Sequence, residues 1–295
     1  MNVLQNEKEI VALLQLIDDP DQEVFDLVTQ KLLTYGTGII PKLEQLLNFS
    51  ETSLMEGRIN FLIHQINYFQ LQTDLIKWSQ KEFPSILDAG ILIAKYQYPE
   101  MDKENVLHQF ELMRKNIWLE LNNFLSPLEQ INIINSILFN FFRLQGHELN
   151  ELNPDHFYIN KTIESKHGNA FTIGILYLSL CELLDVPIFA IDLPNQFVLA
   201  YFEHSFSFLD TEEKKLIPQV QFFIDPINGI VYNKKDIENY LTQNERPELF
   251  NSLKALDSRD FIALMLERLA LTYSEKGDYD NASDLQNLIL LLQKQ

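Results

Sequence analysis

One apolar stretch near the middle of the chain, GNAFTIGILYLSLCELLDVP (Gly168–Pro187), constrains the fold more than any other feature. It begins at a turn glycine, runs through almost only apolar residues to Cys181, and ends at a proline. This pattern predicts a core helix of about four turns. The segment Ile188–Leu193 follows and predicts a strand. The charged residues Glu182 and Asp185 end the apolar run before it reaches the length that a bilayer requires.

The composition limits the partners and the compartment. The chain has 295 residues, 46% of them hydrophobic, which suits a globular protein with a sizeable core. Its formal net charge of −19 argues against nucleic-acid and membrane partners, because both attract clustered Lys and Arg. One cysteine excludes an intramolecular disulfide framework and fits a reducing compartment. The first residues, MNVLQNEKEI, lack the pattern of a signal peptide, so we expect an acidic, cytoplasmic protein.

The first half of the chain predicts helices almost throughout. Apolar residues recur at helical spacing, and the breaks fall at Asp18-Asp19-Pro20-Asp21 and at Tyr35-Gly36. Two short helices joined by such a turn resemble a HEAT-type repeat. The predicted helices are Glu9–Ile17, Glu23–Leu33, Lys42–Leu47, Arg58–Phe69, Gln72–Lys81, Pro84–Tyr96, Lys103–Leu121 and Pro127–Phe142.

Strand patterns appear between residues 145 and 241. The predicted strands are Ile188–Leu193, Phe197–Phe202, Gln221–Ile224 and Ile230–Tyr232, with a further piece at Phe206–Phe208. The charged segment Asp210–Pro218 predicts an exposed turn.

The tail returns to a helical pattern. Ser258–Lys276 and Asp280–Gln293 predict a helical hairpin, and Tyr273, Gly277 and Ala282 stand at the offsets of a tetratricopeptide-type unit. One such unit cannot bury its own apolar face, so we expect it to dock on the core. The sequence thus predicts an α+β fold, mostly α, with a small antiparallel sheet. The predicted segments are a HEAT-like region at 1–84, a core at 85–245 and a helical hairpin at 246–295.

Several stretches carry a resemblance to a known family. They are LIAKYQYPEMD (Leu92–Asp102), INSILFNFFRLQG (Ile134–Gly146), FYINKTIESKHGNAFTIGILYLSLCELLDVP (Phe157–Pro187), LPNQF (Leu193–Phe197), FIDPINGIVY (Phe223–Tyr232) and the tail. In this order they resemble a bacterial family of the transglutaminase-like superfamily. Its members carry a helical N-terminal region, a cysteine-protease-like transglutaminase core and a short tetratricopeptide-like tail. The resemblance covers residues 85–295 and implies that fold here.

The resemblance also implies where a catalytic triad would lie. In catalytic members a cysteine heads the helix, a histidine begins the next strand and an aspartate begins the one after, so that imidazole takes the thiol proton. These positions fall on Ala170, Gln196 and Asp225. At the cysteine position the family commonly has a proline, followed two residues later by Ser or Thr. The residue at that later position in this chain is Thr172. At the histidine position the family usually reads Pro-Gly-His-Phe, where this chain has Pro194-Asn195-Gln196-Phe197.

Other sources of chemistry find little support in the sequence. Cys181 lies about three turns beyond Ala170 in an apolar context, which predicts a buried core thiol. Thr172 is interpreted as a cap or first-turn hydroxyl. Among the six histidines, His156 and His167 precede the helix and are interpreted as loop or surface residues. Because no metal-ligand spacing and no nucleotide-binding motif is present, we expect no metal and no cofactor.

Asp225 has two interpretations. Asp-Pro-Ile-Asn-Gly is good turn chemistry, in which the carboxylate accepts from nearby backbone amides. The alternative is a pocket role, with Asn195 and Gln196 as its hydrogen-bond partners. The candidate cleft therefore contains Asn169, Thr172, Asn195, Gln196, Asp225 and His167.

The resulting hypothesis is a non-catalytic transglutaminase-like protein, a pseudoenzyme that binds a protein or peptide partner and acts as a scaffold. One alternative is a hydrolase or amidase that uses Thr172 and Asp225, which requires His156 or His167 within about 3 Å of the nucleophilic oxygen. A further alternative is a structural protein that binds its partner through the N-terminal helices.

Overall fold

The computed structural model describes residues 3–50, 52–149, 152–203 and 217–293. Residue contacts divide the chain into two compact units, Met1–Lys77 and Trp78–Gln295. The division into three segments, with boundaries after 84 and 245, stays a prediction.

The first unit consists of helices around one apolar core. Helix α2 begins after Asp21, whose carboxylate accepts a hydrogen bond from the Glu23 amide at 2.9 Å, the usual arrangement of an Asp cap. Large apolar side chains such as Leu27 and Phe49 remain exposed. The helices are α1 (Val3–Gln15), α2 (Gln22–Leu33), α3 (Ile40–Asn48) and α4 (Ser53–Ser79), whose last two residues, Trp78 and Ser79, belong to the second unit. The core contains Ile17, Phe25, Val28, Leu32, Ile39, Leu43, Ile59, Leu62 and Ile66.

Helix α4 corrects one prediction. The sequence predicted two helices, Arg58–Phe69 and Gln72–Lys81, whereas the structure has a single helix of 27 residues. No proline or glycine lies between the two predicted pieces, and Leu71 at the join is buried, so nothing ends the helix there. Near the start of α4, the buried Arg58 side chain donates a hydrogen bond to the Ile17 carbonyl at 2.8 Å. This bond gives a partner to a backbone carbonyl just after the end of α1.

The second unit contains eight helices among its described residues. Helix α7 continues as a π-helical segment, Ser136–Phe141, so the last part of the predicted helix Pro127–Phe142 is not α-helical. Helices α8 and α10 were not predicted. The helices are α5 (Ile86–Gln97), α6 (Lys103–Glu120), α7 (Pro127–Asn135), α8 (Ile159–Ser165), α9 (Ala170–Leu183), α10 (Lys234–Gln243), α11 (Ser258–Glu275) and α12 (Tyr279–Gln293).

The strands form two sheets. Strands β1 (Gln145–His147) and β2 (His167–Asn169) make a short parallel pair. The larger sheet is antiparallel throughout, with the order β6-β5-β4-β3-β7. Its strands are β3 (Ile188–Leu193), β4 (Gln196–Phe202), β5 (Val220–Ile224), β6 (Val231–Tyr232) and β7 (Ala255–Leu256). The predicted piece Phe206–Phe208 and most of the predicted turn Asp210–Pro218 lie outside the described residues.

Strand β4 sends successive side chains to opposite faces of the larger sheet. Phe197 lies on the face that packs on α9, because its ring centroid is 5.1 Å from that of Phe171. A Cβ added at Gly174 of α9 would lie 2.9 Å from the Phe197 ring, so helix and strand are in close contact there. Val198 lies on the other face, where it packs with Ile237 of α10. We call these two sides the α9 face and the α10 face.

The C-terminal hairpin docks on the core of its unit, as predicted. Helices α11 and α12 are joined at Gly277, whose φ of +81° suits glycine. The Tyr273 hydroxyl lies 2.7 Å from that of Tyr158, and the Tyr96 hydroxyl donates to Asp284 at 3.0 Å. The structure therefore confirms the predicted class, α+β and mostly α, with a small antiparallel sheet and C-terminal helices. None of the helices in the described ranges is both long and apolar enough to cross a bilayer.

Candidate functional site

The N-terminus of α9, where a triad cysteine would stand, is closed by a reciprocal cap. The Asn169 side chain accepts from the amides of Phe171 at 2.9 Å and Thr172 at 3.2 Å, and the Thr172 hydroxyl accepts from the Asn169 amide at 3.2 Å. Such a box satisfies backbone donors that the first turn leaves without partners. Ala170 between them is only 4% exposed. The predicted nucleophile position therefore lies in packed interior.

Thr172 is held as a structural residue. Its hydroxyl is fully buried and donates to the backbone carbonyl of His156 at 2.9 Å. The space next to Thr172, around Gly168, is also filled. A Cβ added at Gly168 would lie 2.7 Å from the Thr162 hydroxyl oxygen. A nucleophile must give its proton to a base and reach its substrate. The geometry of Thr172 provides neither, so it gives no support to the hydrolase alternative.

Three histidines meet just before α9. His147 comes from β1, His167 from β2 and His156 from a 3-10 turn, Pro154–Phe157. The His147 Nε2 atom is 2.9 Å from His167 Nδ1, and the His147 ring stacks on that of His156 at 4.4 Å and 21°. The sequence predicts His156 and His167 as loop or surface residues and gives no sign of their contact with His147. Within the described part of the chain, no group of three His, Cys, Asp or Glu residues has a geometry that could hold a metal ion.

Gln196, at the predicted histidine position, lies on the α10 face. It begins β4 and pairs directly with Leu193 of β3, a residue of the apolar cluster on that face. Directly paired residues project to the same side of a sheet. Asn195 in the turn before it is exposed and has a φ of +67°, a conformation in which Asn can replace the glycine that the family usually has there.

Asp225, at the predicted aspartate position, follows the end of β5. Continuing the register of Leu199 with Ile224 by one residue places Asp225 beside Val198, on the same α10 face. Its carboxylate accepts from the Ile227 amide at 2.9 Å, as turn chemistry requires.

Burial raises the pKa of the Asp225 carboxyl, whereas hydrogen bonds from the Ile227 amide, the Asn228 side chain and the Tyr232 hydroxyl oppose the rise. Asn195 and Gln196, the partners that the sequence suggested, are not among the groups that hold this carboxylate in the described structure.

A pocket of about 290 Å³ opens on the α10 face, and we call it the sheet pocket. The buried residues Val198 and Ile237 are among its lining residues, and exposed polar residues of α10 form part of its rim. Seven of its ten described lining residues have polar side chains, so the pocket is more polar than a typical small-molecule site. The described lining residues are Gln196, Phe197, Val198, Asp225, Tyr232, Asp236, Ile237, Asn239, Tyr240 and Gln243.

The structure therefore brings together only part of the predicted cleft. Gln196 and Asp225 line the sheet pocket. Asn169 and Thr172 belong to the α9 cap on the opposite side of the sheet, Asn195 is exposed in a turn, and His167 lies in the histidine cluster.

The residues of α10 that line the pocket were missed by the sequence analysis. The sequence does contain signals for helix α10. Asn233-Lys-Lys-Asp236 has the pattern of a capping box, and Ile237 and Leu241, four residues apart, both face the core.

Cys181 is a buried thiol, as the sequence predicts. Its side chain is fully enclosed, and burial raises its pKa well above the usual range. A thiol that stays protonated is neither a nucleophile nor a metal ligand.

Helix α9 and the larger sheet form the centre of the region that a known family model matches. The model of the transglutaminase-like superfamily matches residues 104–267, more than half of the chain, and the chain belongs to that superfamily. Its relatives include a UPF0162 protein of Buchnera aphidicola and protein SirB1 of Salmonella typhimurium. Each is 24% identical over 139 residues, which cover 46% of this chain and 47% of the relative.

These matches span about half the length of those relatives. A UPF0162 protein of Xylella fastidiosa is 22% identical over 221 residues, which cover 70% of this chain and 71% of that protein. All three organisms are bacteria. No solved structure matches the chain.

Proposed function

We propose that the chain is a transglutaminase-like protein without transglutaminase chemistry, which binds a protein or peptide segment through the sheet pocket and so acts as a scaffold. The observation that carries the proposal is the separation of the triad positions. Ala170 is buried beneath the α9 face, whereas Gln196 and Asp225 line an open pocket on the α10 face. The single enclosed thiol, Cys181, fits a reducing cytoplasm.

Residue types and geometry both support the proposed absence of acyl-transfer chemistry. Alanine has no nucleophilic atom, and a glutamine amide does not take up a proton at neutral pH. The nearest hydroxyl in the helix, that of Thr172, donates to a backbone carbonyl inside the protein. No described group therefore pairs an accessible nucleophile with a base at these positions.

The dimensions of the pocket favour a peptide. A volume of about 290 Å³ accommodates one or two side chains but is at the lower limit for a small-molecule site. Asp236, Asn239 and Gln243 are exposed at its rim. A peptide with one side chain in the pocket therefore has room to extend past them into solvent. A short segment that inserts one side chain into the pocket fits this shape.

A display experiment tests this function with a matched pair of variants. A phage-displayed peptide library is selected on the wild type, on Asn239→Trp and on Glu238→Trp. Both positions are exposed on α10, but only Asn239 lines the pocket. We expect sequences to be enriched on the wild type and on Glu238→Trp, and the enrichment to disappear on Asn239→Trp.

Two results would contradict the proposal. One is enrichment that survives Asn239→Trp unchanged, which would place binding elsewhere. The other is turnover of generic amide or glutamine substrates that Asp225→Ala abolishes, since this would show a working catalytic site.

A further inference from the structure

The charge of the sheet pocket indicates the ligand class. Two carboxylates, Asp225 and Asp236, lie in its wall, and no Lys or Arg is among its described lining residues. Neither carboxylate forms an ion pair with any residue of the described chain, although eight such pairs occur elsewhere in it. A concave site with unpaired negative charge attracts a cation.

Two tyrosines, Tyr232 and Tyr240, line the pocket together with the carboxylates. The Tyr240 hydroxyl donates to the Pro194 carbonyl at 2.6 Å, which holds the Tyr240 ring in place as part of the wall. Tyr232 is near enough to Asp225 for each side chain to shift the pKa of the other. An aromatic ring attracts a cation that lies over its face.

The pocket has more acceptor groups than the three N–H donors of a single ammonium group can satisfy. Besides the two carboxylates, the side-chain amides of Gln196, Asn239 and Gln243 line it, each with a carbonyl oxygen. A guanidinium carries five N–H donors in a planar fork, stacks on aromatic rings and is weakly hydrated, whereas an ammonium is compact and strongly hydrated. A guanidinium therefore matches the pocket better.

We propose that the sheet pocket recognises an arginine side chain of a peptide segment. The guanidinium lies against the rings of Tyr232 and Tyr240 and donates to Asp225 and Asp236, while the amides at the rim accept from its remaining N–H groups or from the peptide backbone. This assignment rests on the proposed function, since it names the side chain that the same pocket receives.

Calorimetric titration with three blocked pentapeptides tests the assignment. The probes are acetylated and amidated Gly-Gly-Arg-Gly-Gly, its lysine analogue and its citrulline analogue, which keeps the shape of arginine but has no charge. We expect the arginine peptide to bind about tenfold more tightly than the lysine peptide and more tightly still than the citrulline peptide. Asp225→Asn and Asp236→Asn are each expected to weaken it about tenfold. Glu238→Gln, which removes a charge on α10 outside the pocket, is expected to change it less than twofold.

Equal binding of the arginine and citrulline peptides would overturn the assignment, as would no measurable binding of the arginine peptide at millimolar concentration. Equal binding of arginine and lysine would overturn the guanidinium preference. Failure here is distinguishable from failure of the proposed function. If the display library yields pocket-dependent sequences without arginine, the binding function stands and this assignment is wrong; if no sequence depends on the pocket, the function itself is wrong.

Discussion

The two faces of strand β4 have opposite properties. On the α9 face, Phe197 packs against Phe171 and Phe261, and Phe171 belongs to the first turn of α9, next to its cap. On the α10 face, the adjacent residue Gln196 lines an open, acidic pocket. A shift of one residue along a strand is enough to exchange these environments. The comparison teaches that a triad position read from sequence is informative only together with the face to which it projects.

The chain offers a convenient reporter for this comparison. Both tryptophans, Trp78 and Trp118, lie in the second unit, and Trp78 is buried. Tryptophan fluorescence during urea unfolding therefore follows the unit that contains both faces.

The largest expected effect separates two neighbouring residues of β4. Phe197→Ala removes a ring packed between Phe171 and Phe261, and we expect it to lower the free energy of unfolding by about 3–5 kcal/mol. Gln196→Ala on the other face is expected to change it by less than about 0.5 kcal/mol. Urea unfolding followed by tryptophan fluorescence measures both. Similar losses at the two positions would mean that the faces do not differ as described.

A smaller effect is expected in the α9 cap. Thr172→Val keeps the volume but leaves the Asn169 amide and the His156 carbonyl without their buried partner, at a cost of about 1–3 kcal/mol. Thr172→Ser keeps the hydroxyl and loses one methyl group, so it should be destabilised less. The same unfolding assay ranks the variants. A serine variant less stable than the valine variant would show that packing, and not the cap, holds this residue.

Asp225 on the α10 face should make the free energy of unfolding depend on pH. Burial raises the pKa of the Asp225 carboxyl in the folded protein, so the folded state holds this proton more tightly than the unfolded state does. As the pH falls from the raised folded value toward the unfolded value of about 3.9, the wild type should gain stability relative to Asp225→Asn. Unfolding of both proteins at a series of pH values measures the difference. A constant difference, or a gain for the variant, would contradict the assigned cause.

The smallest expected effect is none at all. Ala170→Cys combined with Gln196→His restores the residue types of the triad, with Asp225 already present. We expect no amide hydrolysis and no amine incorporation, because the new thiol and the new imidazole would lie on opposite sides of the sheet. Activity assays with a glutamine peptide, with Ala170→Cys alone as the control, test this. Activity that requires both substitutions would show that the two positions face each other.

The elements with strong periodic signals were predicted from the sequence. Strand β3 has its predicted bounds, and α6 and α11 differ from prediction by one residue at the C-terminal end. Failures came where the local signal was short. Strands β1 and β2 have three residues each, and their parallel pairing joins positions far apart in the sequence.

The site was less predictable than the fold for a physical reason. The sequence indicated that Gln196 and Asp225 belong together, and both line the sheet pocket. It grouped them with Asn169 and Thr172 because family patterns give an order along the chain and not a direction for each side chain. The direction of Gln196 depends on its pairing with Leu193, and the pocket depends on α10, whose apolar residues are few.

The position of α10 has a consequence for how such proteins diverge. Asn239 and Gln243 occupy the exposed side of a helix whose buried side, Ile237 and Leu241, is anchored in the core. Substitutions at those two positions alter the charge and hydrogen bonding of the pocket without altering any buried volume. The surface of the pocket and the packing of the core therefore depend on different residues of one helix. The pocket surface is free to change in evolution while the core sequence stays the same.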